Sequence, residues 1–267
     1  MTLLTGTVVS ADGTEIVFDR CGAGPAVVLV HGAFTDRTHP TLAGVAATLA
    51  PWFTVFNYDR RGRGASGDNQ PYAVSRELED LDAVIAAAGG SAHVFGGSSG
   101  AALALRAAAR NPAIAKLAVW EPPFHVDAGA PHLPDDFAVR LADLVAHGRR
   151  ADAVELFLVA AAEVPAEAVT AMRADASWPA MEAIAHTLAY EATVLGPGNA
   201  LPVDRLATVT QPTLVLNGAA GPAWMTNAGQ AVVRTVPHAV RRILAGQTHN
   251  VAADALAPEL LEFFVAG

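Results

Sequence analysis

Short apolar runs alternate with helix-length stretches along most of the chain, and this alternation constrains the fold more than any other feature of the sequence. A run that is apolar along its whole length is typical of a strand buried on both faces, as in a parallel sheet. Six short and mostly apolar runs approach this character, at residues 26–30, 54–58, 93–96, 116–120, 213–216 and 241–244. Crossover helices are predicted at residues 42–49, 75–88, 101–110, 227–236 and 257–265. The chain is therefore predicted to form an α/β fold with a doubly wound, mostly parallel sheet.

Two segments depart from this alternation. Near the N-terminus, Asp12-Gly13 lies between strand-like residues 7–9 and 15–18, and this dipeptide is typical of a hairpin turn. Between the fourth and fifth apolar runs there is no convincing strand, and helical periodicity predicts four helices instead, at residues 136–147, 150–163, 166–174 and 179–195. We therefore predict a core domain formed by residues 1–121 and 201–267, with an N-terminal hairpin, and a helical cap formed by residues 122–200.

Composition and charge disfavour several classes of function. The formal net charge is -9, whereas surfaces that bind nucleic acid are basic. No apolar run is long enough to span a bilayer, and the N-terminus lacks the basic region of a signal peptide. Cys21 is the only cysteine, so no internal disulfide or multi-cysteine metal site can form. We expect a cytoplasmic protein that uses no metal or cofactor and takes a small-molecule substrate rather than nucleic acid or a membrane; a homodimer is left open.

Ser98 is the candidate nucleophile. It is the central residue of Gly96-Gly97-Ser98-Ser99-Gly100, a G-x-S-x-G motif at the predicted junction of a strand and a helix. At such a corner the serine has a strained backbone, and only very small residues fit two positions before and after it. The strict glycine spacing favours Ser98, although a looser rule of small neighbours would permit Ser99. The plainer alternative is a glycine-rich turn whose serines are incidental.

A serine nucleophile needs a base and a group of donors that stabilise the oxyanion. His249 follows the last predicted strand and precedes the last helix, where chain order places the base of such a site. The backbone N–H of Ser99, at the start of a helix, is one expected oxyanion donor. The second is expected from the loop after the first buried strand, where Gly32 lets the backbone approach closely. The Ala33 N–H is the first choice and the Phe34 N–H the second.

Five segments, in this order and spacing, resemble the α/β-hydrolase superfamily: LVHGAF, YDRRGRGAS, FGGSSG, TLVLNG and the region of the late histidine. The resemblance covers nearly the whole chain and implies an α/β-hydrolase fold with a serine nucleophile. In that superfamily the turn similar to YDRRGRGAS is generally structural. Arg60, Arg61 and Arg63 are therefore expected to brace the fold rather than to bind a ligand.

The third catalytic residue departs from the pattern of the superfamily. Most members carry an acid in a G-x-x-D arrangement after the strand similar to TLVLNG, but Gly221 stands at that position here. A subset takes the acid from the end of the preceding strand, where this chain has Glu121. The resemblance therefore implies Glu121 as the acid that orients His249, with Asp127 and Asp254 as weaker candidates. A solvated position at the mouth of the cap, or a clamp on its loop, is the alternative role for Glu121.

Together these features predict a serine hydrolase that cleaves an ester or lactone of a fairly apolar small molecule through an acyl-enzyme on Ser98. The residues expected to bind substrate are Phe34, Trp224, Phe124 and Met225. Carbon-carbon bond hydrolases and cofactor-free haloperoxidase-like enzymes that make peracids use the same constellation, so both remain alternatives. A non-catalytic ligand-binding protein on a hydrolase fold is the alternative from a different class, because Gly221 removes the usual acid.

Overall fold

One eight-stranded sheet organises residues 2–266, which the computed structural model describes. Its strands are β1 (Leu4–Val9), β2 (Glu15–Gly22), β3 (Ala26–Val30), β4 (Thr54–Tyr58), β5 (Ala92–Gly97), β6 (Ile114–Trp120), β7 (Thr213–Gly218) and β8 (Ala239–Leu244). They lie in the order β1-β2-β4-β3-β5-β6-β7-β8. The pairs β1–β2 and β2–β4 are antiparallel, and the remaining neighbours are parallel. The predicted doubly wound sheet with an N-terminal hairpin is therefore confirmed.

Residues along the central strands alternate between two apolar layers. In β3, Val28 and Val30 belong to one hydrophobic cluster, whereas Val27 and Leu29 belong to the cluster on the opposite face. Neighbouring side chains of a strand point to opposite faces of the sheet, so a strand covered on both sides must be apolar throughout. This is why every residue of β3 is buried.

Helices cover both faces of the sheet, as the alternation predicts. In chain order they are α1 (Pro40–Leu49), α2 (Val74–Ala87), α3 (Ser99–Ala108), α4 (Phe137–Ala146), α5 (Arg150–Ala160), α6 (Ala166–Met172), α7 (Trp178–Ala183), α8 (Thr187–Leu195), α9 (Val203–Leu206), α10 (Ala223–Thr235) and α11 (Ala253–Val265). The helices α1 and α11 pack on one face, and α2, α3 and α10 pack on the other. Within residues 2–266, no helix combines the length and the apolar character needed to cross a bilayer.

Five helices, α4 to α8, lie within residues 122–200, where four are predicted. The prediction of one helix at residues 179–195 is wrong, because a turn at residues 184–186 separates α7 from α8. Arg150 accounts for the break: its Nε donates to the carbonyl of Glu182 and its Nη2 to that of Ala183, both at 2.6 Å. These carbonyls at the end of α7 are thereby satisfied without a continuing helix. Since Arg150 belongs to a different helix, the local sequence carries no signal of the break.

The apolar faces of these five helices form a third hydrophobic cluster, which includes Leu141, Phe157 and Leu188. Ala33 and Phe34, in the loop after β3, pack against it. The loops after the parallel strands emerge at the same edge of the sheet, which is where open α/β sheets bind ligands. The segment between β6 and β7 therefore contacts the edge that carries the candidate site.

Candidate active site

Ser98 lies at the corner between β5 and α3 with a strained backbone, φ 57° and ψ -126°. Its N–H donates to the carbonyl of Trp120 in β6 at 2.8 Å, which ties the corner to the neighbouring strand. The flanking glycines are sterically required. A Cβ on Gly96 would lie 2.8 Å from the Cα of Ala101, and one on Gly100 would lie 2.6 Å from the last carbonyl oxygen of β3. The corner therefore presents a half-buried serine hydroxyl at the edge of the sheet.

His249 reaches this hydroxyl from the loop between β8 and α11. Its Nε2 lies 3.1 Å from the Oγ of Ser98, and its Nδ1 lies 2.8 Å from the Oε2 of Glu121. Because an ionised carboxylate can only accept, the ring proton belongs on Nδ1, and Nε2 is free to accept the hydroxyl hydrogen. The indole N–H of Trp120 donates to the His249 carbonyl at 3.0 Å and anchors the loop. The ring is 39% exposed, so the site remains accessible.

Glu121 is completely buried at the end of β6 and has a positive φ of 42°. Its backbone N–H donates to the Leu216 carbonyl at 3.0 Å, and its Oε1 accepts the N–H of Gly218 at 2.8 Å. The neighbouring strand β7 thus fixes both ends of the residue. One carboxylate oxygen bonds the sheet and the other bonds His249, so the carboxylate is neither solvated nor directed toward the cap.

The space beside Gly221 holds the carboxylate of Glu121. A Cβ at position 221 would lie 3.6 Å from the Oε1 of Glu121. The carboxylate of Glu121, which comes from the end of β6, therefore lies next to position 221, the position expected to carry the acid in the more common arrangement. The weaker candidates have other roles: Asp127 accepts from Asn227 and from the Gly129 N–H, both at 2.8 Å, while Asp254 lies in the first turn of α11.

The predicted oxyanion donors lie beside Ser98. A Cβ on Gly32 would lie 3.0 Å from the Cβ of Ser98, so the loop after β3 approaches the serine closely. Among residues 2–266, neither the Ser99 N–H nor the Ala33 N–H has an acceptor. Phe34, the second choice, has a positive φ of 59°. Ser99 itself is buried, and His249 bonds the hydroxyl of Ser98 instead.

The four predicted substrate-binding residues have different surroundings. Phe34 is half-buried and meets the ring of Phe157 edge-on at 5.6 Å, between the loop after β3 and the helical segment. Trp224 and Met225 are buried at the start of α10, and the indole N–H of Trp224 donates to Glu163 at 2.7 Å. Phe124 is fully buried in the hydrophobic cluster with α3. The structure therefore contradicts a pocket-lining position for Phe124, because its ring has no surface left to offer.

Three buried arginines and their carboxylate partners lie next to the site; we call them the arginine cluster (Arg60, Arg61 and Arg63 with Asp12, Glu77, Asp80 and Glu191). Arg60 binds Glu77 through two contacts, at 2.6 and 2.7 Å, and Glu191 at 2.9 Å. Arg61 binds Asp80 through two contacts of 2.7 Å and Asp12 at 2.9 Å. Arg63 pairs with Glu191. Every guanidinium contacts a carboxylate within the chain, which agrees with the expected bracing role.

The carboxylates of this cluster are not predicted from the sequence, although a signal exists. Glu77 and Asp80 lie on the buried face of α2, among Leu78 and Leu81, and an acidic residue on an apolar face needs a partner. Glu191 is the single charge in the apolar helix α8. The pattern can therefore mark these carboxylates as paired, but it cannot name the partners, which lie as many as 131 residues away in the chain.

His31, directly after β3, is a second histidine beside the site and, unlike His249, is buried. Burial lowers its pKa to about 3, so its ring is neutral. Its Nε2 therefore donates to the Oδ1 of Asn57 at 2.6 Å, and its backbone carbonyl accepts from Arg60 at 3.1 Å. These bonds fix the start of the loop that carries the Ala33 N–H.

The order of the parallel strands, with a strained serine after β5, is that of an α/β hydrolase. The chain belongs to the alpha/beta hydrolase family, whose model matches residues 27–259. Its general class is therefore that of a hydrolase. A solved structure of an alpha/beta hydrolase from Sphaerobacter thermophilus DSM 20745 has 52% sequence identity with it and a TM-score of 0.90; the match covers 97% of this chain and 100% of that chain.

Two curated relatives match shorter segments. An uncharacterized hydrolase, YraK, of Bacillus subtilis (strain 168) is 36% identical over 118 residues, which is 42% of each chain. N-formylmaleamate deformylase of Pseudomonas putida is 36% identical over 127 residues, which is 46% of this chain and 47% of the relative. The matched segment thus spans less than half the length of these relatives.

Proposed function

We propose that the protein is a serine hydrolase that cleaves an ester or lactone of a fairly apolar small molecule, with Ser98 forming an acyl-enzyme. The observation that carries the proposal is the continuous chain of contacts from Ser98 through His249 to Glu121, at 3.1 and 2.8 Å. A serine at its ordinary pKa is a weak nucleophile and needs an oriented base within hydrogen-bond reach.

In this mechanism the Oγ of Ser98 attacks the carbonyl carbon while the Nε2 of His249 takes the hydroxyl proton. Glu121 stabilises the imidazolium that forms and keeps the ring oriented. The N–H groups of Ser99 and Ala33 stabilise the negative oxygen of the tetrahedral intermediate. His249 then gives its proton to the departing alkoxide. In the second half of the reaction, His249 takes a proton from water as the water attacks the acyl-enzyme, and it then returns the proton to the Oγ of Ser98.

The preference for an apolar substrate rests on the surroundings of the serine. Ala33 and Phe34 pack against the apolar cluster of α4 to α8, and both residues are only partly buried. Trp224 and Met225, which follow the loop beside Glu121, are proposed to extend this wall. Apolar walls with a few convergent polar groups are typical of small-molecule sites.

A fluorophosphonate probe, which reacts with activated serines, tests the proposal. We expect labelling of the wild type and none of Ser98→Ala. Ser99→Ala is the matched control, because it removes an adjacent hydroxyl but keeps the backbone N–H that the mechanism uses. Absent labelling of a folded wild type would contradict the enzyme and favour a ligand-binding protein. Labelling that survives in Ser98→Ala would assign the nucleophile elsewhere.

The substrate class is then measured as kcat/KM across esters of increasing acyl length and a series of lactones. We expect longer and more apolar acyl groups to be favoured. N-formylmaleamate belongs in the panel because one relative is named for its deformylation. A kcat/KM for that compound above those of the esters would change the proposed substrate class but not the role of Ser98.

A further inference from the structure

The peptide unit between Gly32 and Ala33 is held by its carbonyl oxygen. The Nη1 of Arg63 donates to the carbonyl of Gly32 and also to that of Thr35, the latter at 3.2 Å. In a trans peptide the C=O and the N–H lie in one plane and point in opposite directions. A guanidinium fixed on the Gly32 oxygen therefore fixes the direction of the Ala33 N–H.

The same contact also affects the strength of that N–H as a donor. Hydrogen bonds in series polarise one another, so a peptide whose oxygen accepts from a charged group donates more strongly through its N–H. A second arginine supports the preceding residue, since Arg60 donates to the His31 carbonyl at 3.1 Å. Buried cations thus hold three carbonyls of the loop that carries the proposed oxyanion donor.

Glu191 links these cations to the helical segment between β6 and β7. It projects from α8, is completely buried, and pairs with Arg60 at 2.9 Å and with Arg63. Two buried guanidinium groups disfavour each other: burial and then the charge of Arg60 lower the pKa of Arg63 to about 9. A carboxylate that contacts both groups offsets this repulsion and keeps Arg63 charged and in place.

We propose that Arg63 and Glu191 are positioning residues for the oxyanion hole, so that the seating of α8 on the core sets the direction of the Ala33 N–H. The proposal rests on the proposed serine hydrolase function. Neither residue touches the substrate; both act through one peptide unit. Their effect is therefore expected in the transition state, where the oxygen carries its charge, rather than in substrate binding.

Glu191→Gln is the first test, with an activated ester as substrate. We expect kcat to fall about 10- to 100-fold, somewhat less than for the loss of an oxyanion donor, while KM changes less than about threefold. The affinity for a boronic acid is the second readout. Its adduct with Ser98 places a negative oxygen in the oxyanion hole, so this affinity should fall by a factor similar to that of kcat.

Asp80→Asn is the matched control. It breaks a buried ion pair of the same cluster, but Arg61 contacts Asp80, Asp12 and the Arg76 carbonyl and does not contact the loop after β3. We expect this variant to keep the wild-type kcat and boronate affinity, measured per folded molecule.

Arg63→Lys is a second variant in case Glu191→Gln does not fold. It retains a cation beside Glu191, but one ammonium group lacks the planar fork that reaches two carbonyls and a carboxylate together. We expect a loss of kcat and of boronate affinity similar to that of Glu191→Gln.

Folded Glu191→Gln or Arg63→Lys with kcat and boronate affinity within threefold of wild type would overturn the proposal. An equal loss in Asp80→Asn would also overturn it, because the effect would then reflect general loosening of the cluster. A wild type that fluorophosphonate does not label would instead remove the proposed function, and this inference with it.

Discussion

The candidate active site and the arginine cluster lie at the same edge of the sheet but handle buried charge in opposite ways. In the arginine cluster each guanidinium contacts carboxylates, and the central groups, such as Arg60 and Glu191, are closed to solvent. In the candidate site a single buried carboxylate, Glu121, faces a histidine ring that is 39% exposed.

The difference follows from what each region has to do. A reacting histidine must gain and lose a proton at every turnover, so its charge cannot be locked by fixed partners. A cluster whose charges are matched resists any change of protonation, because removing one partner leaves the other buried and unpaired. The first arrangement supports chemistry, and the second holds chain segments in place. Arg61 belongs to the part of the cluster that does not contact the loop after β3. Substitutions at Glu121 and at Arg61 should therefore separate activity from stability.

The largest effect is expected for Glu121→Gln. An amide in place of the carboxylate no longer stabilises the imidazolium and favours the wrong tautomer of His249, so turnover of an activated ester should fall about 10³- to 10⁴-fold. The free energy of unfolding should change by only about 1 kcal/mol, since the amide oxygen can still accept the Gly218 N–H. Ester kinetics and urea unfolding measure the two quantities. A loss of turnover below tenfold would remove Glu121 from the catalytic triad.

Arg61→Met should show the reverse pattern. Removing this cation leaves Asp80 buried without its partner, which should lower the free energy of unfolding by about 3 kcal/mol. The kcat per labelled serine should stay within twofold of wild type, because Arg61 contacts neither the triad nor the loop after β3. Urea unfolding and active-site titration with the fluorophosphonate probe provide the measurements. A large fall in kcat with unchanged stability would contradict the separation of the two regions.

Gly221→Asp should partly rescue the activity of Glu121→Gln. A side chain at position 221 begins 3.6 Å from the place of the Glu121 oxygen, so an aspartate there can supply a carboxylate to His249. We expect the double variant to recover about 10- to 100-fold in kcat over Glu121→Gln, less than full activity because the supporting contacts are not built for it. Glu121→Gln with Gly221→Asn is the control that lacks the charge. Equal activities of the two double variants would refute a role for charge at this place.

The smallest expected effect concerns the pH dependence of stability through His31. Its pKa is about 3 in the folded protein and 6.5 in an unfolded chain, so below pH 6.5 the unfolded state binds a proton that the folded state does not. Above pH 6.5 the ring is neutral in both states and does not reduce the free energy of unfolding. As the pH falls from 6.5 toward 3, protonation of the unfolded state lowers the free energy of unfolding. Between pH 7.5 and 5, wild type should lose about 2 kcal/mol more than His31→Gln. Urea unfolding at both pH values measures the difference, and parallel losses would contradict the neutral buried ring.

The fold could be predicted from the sequence because its signals are local. Apolar runs mark strands such as β3 and β7, and the doubly wound sheet is confirmed. The G-x-S-x-G motif singled out Ser98, the chain order His249, and the resemblance to the α/β-hydrolase superfamily Glu121. The structure brings these three residues into contact, while their catalytic roles remain a proposal. These residues could be found because each follows a strand, and parallel strands end at a common edge.

Contacts between distant segments could not be predicted in the same way. Arg63 pairs with Glu191 because the loop after β4 meets α8, and Arg150 stabilises a turn because α5 meets the end of α7. No local sequence pattern encodes which segments meet. The position of Phe124 was missed for a similar reason. Its place after β6 is compatible with a pocket wall, but its ring is fully buried in the hydrophobic cluster that also contains residues of α3.

The origin of the acid at the end of β6 has a consequence for how this enzyme could diversify. Glu121 takes its position from the register of two central strands, so the segment from Gly218 to Gly221 carries no reactive group of its own. Exchanges at positions 219 to 221, beyond the Gly218 N–H that holds Glu121, could reshape access to the serine without moving the carboxylate. The segment is thus a suitable place for randomised libraries that seek new substrate ranges.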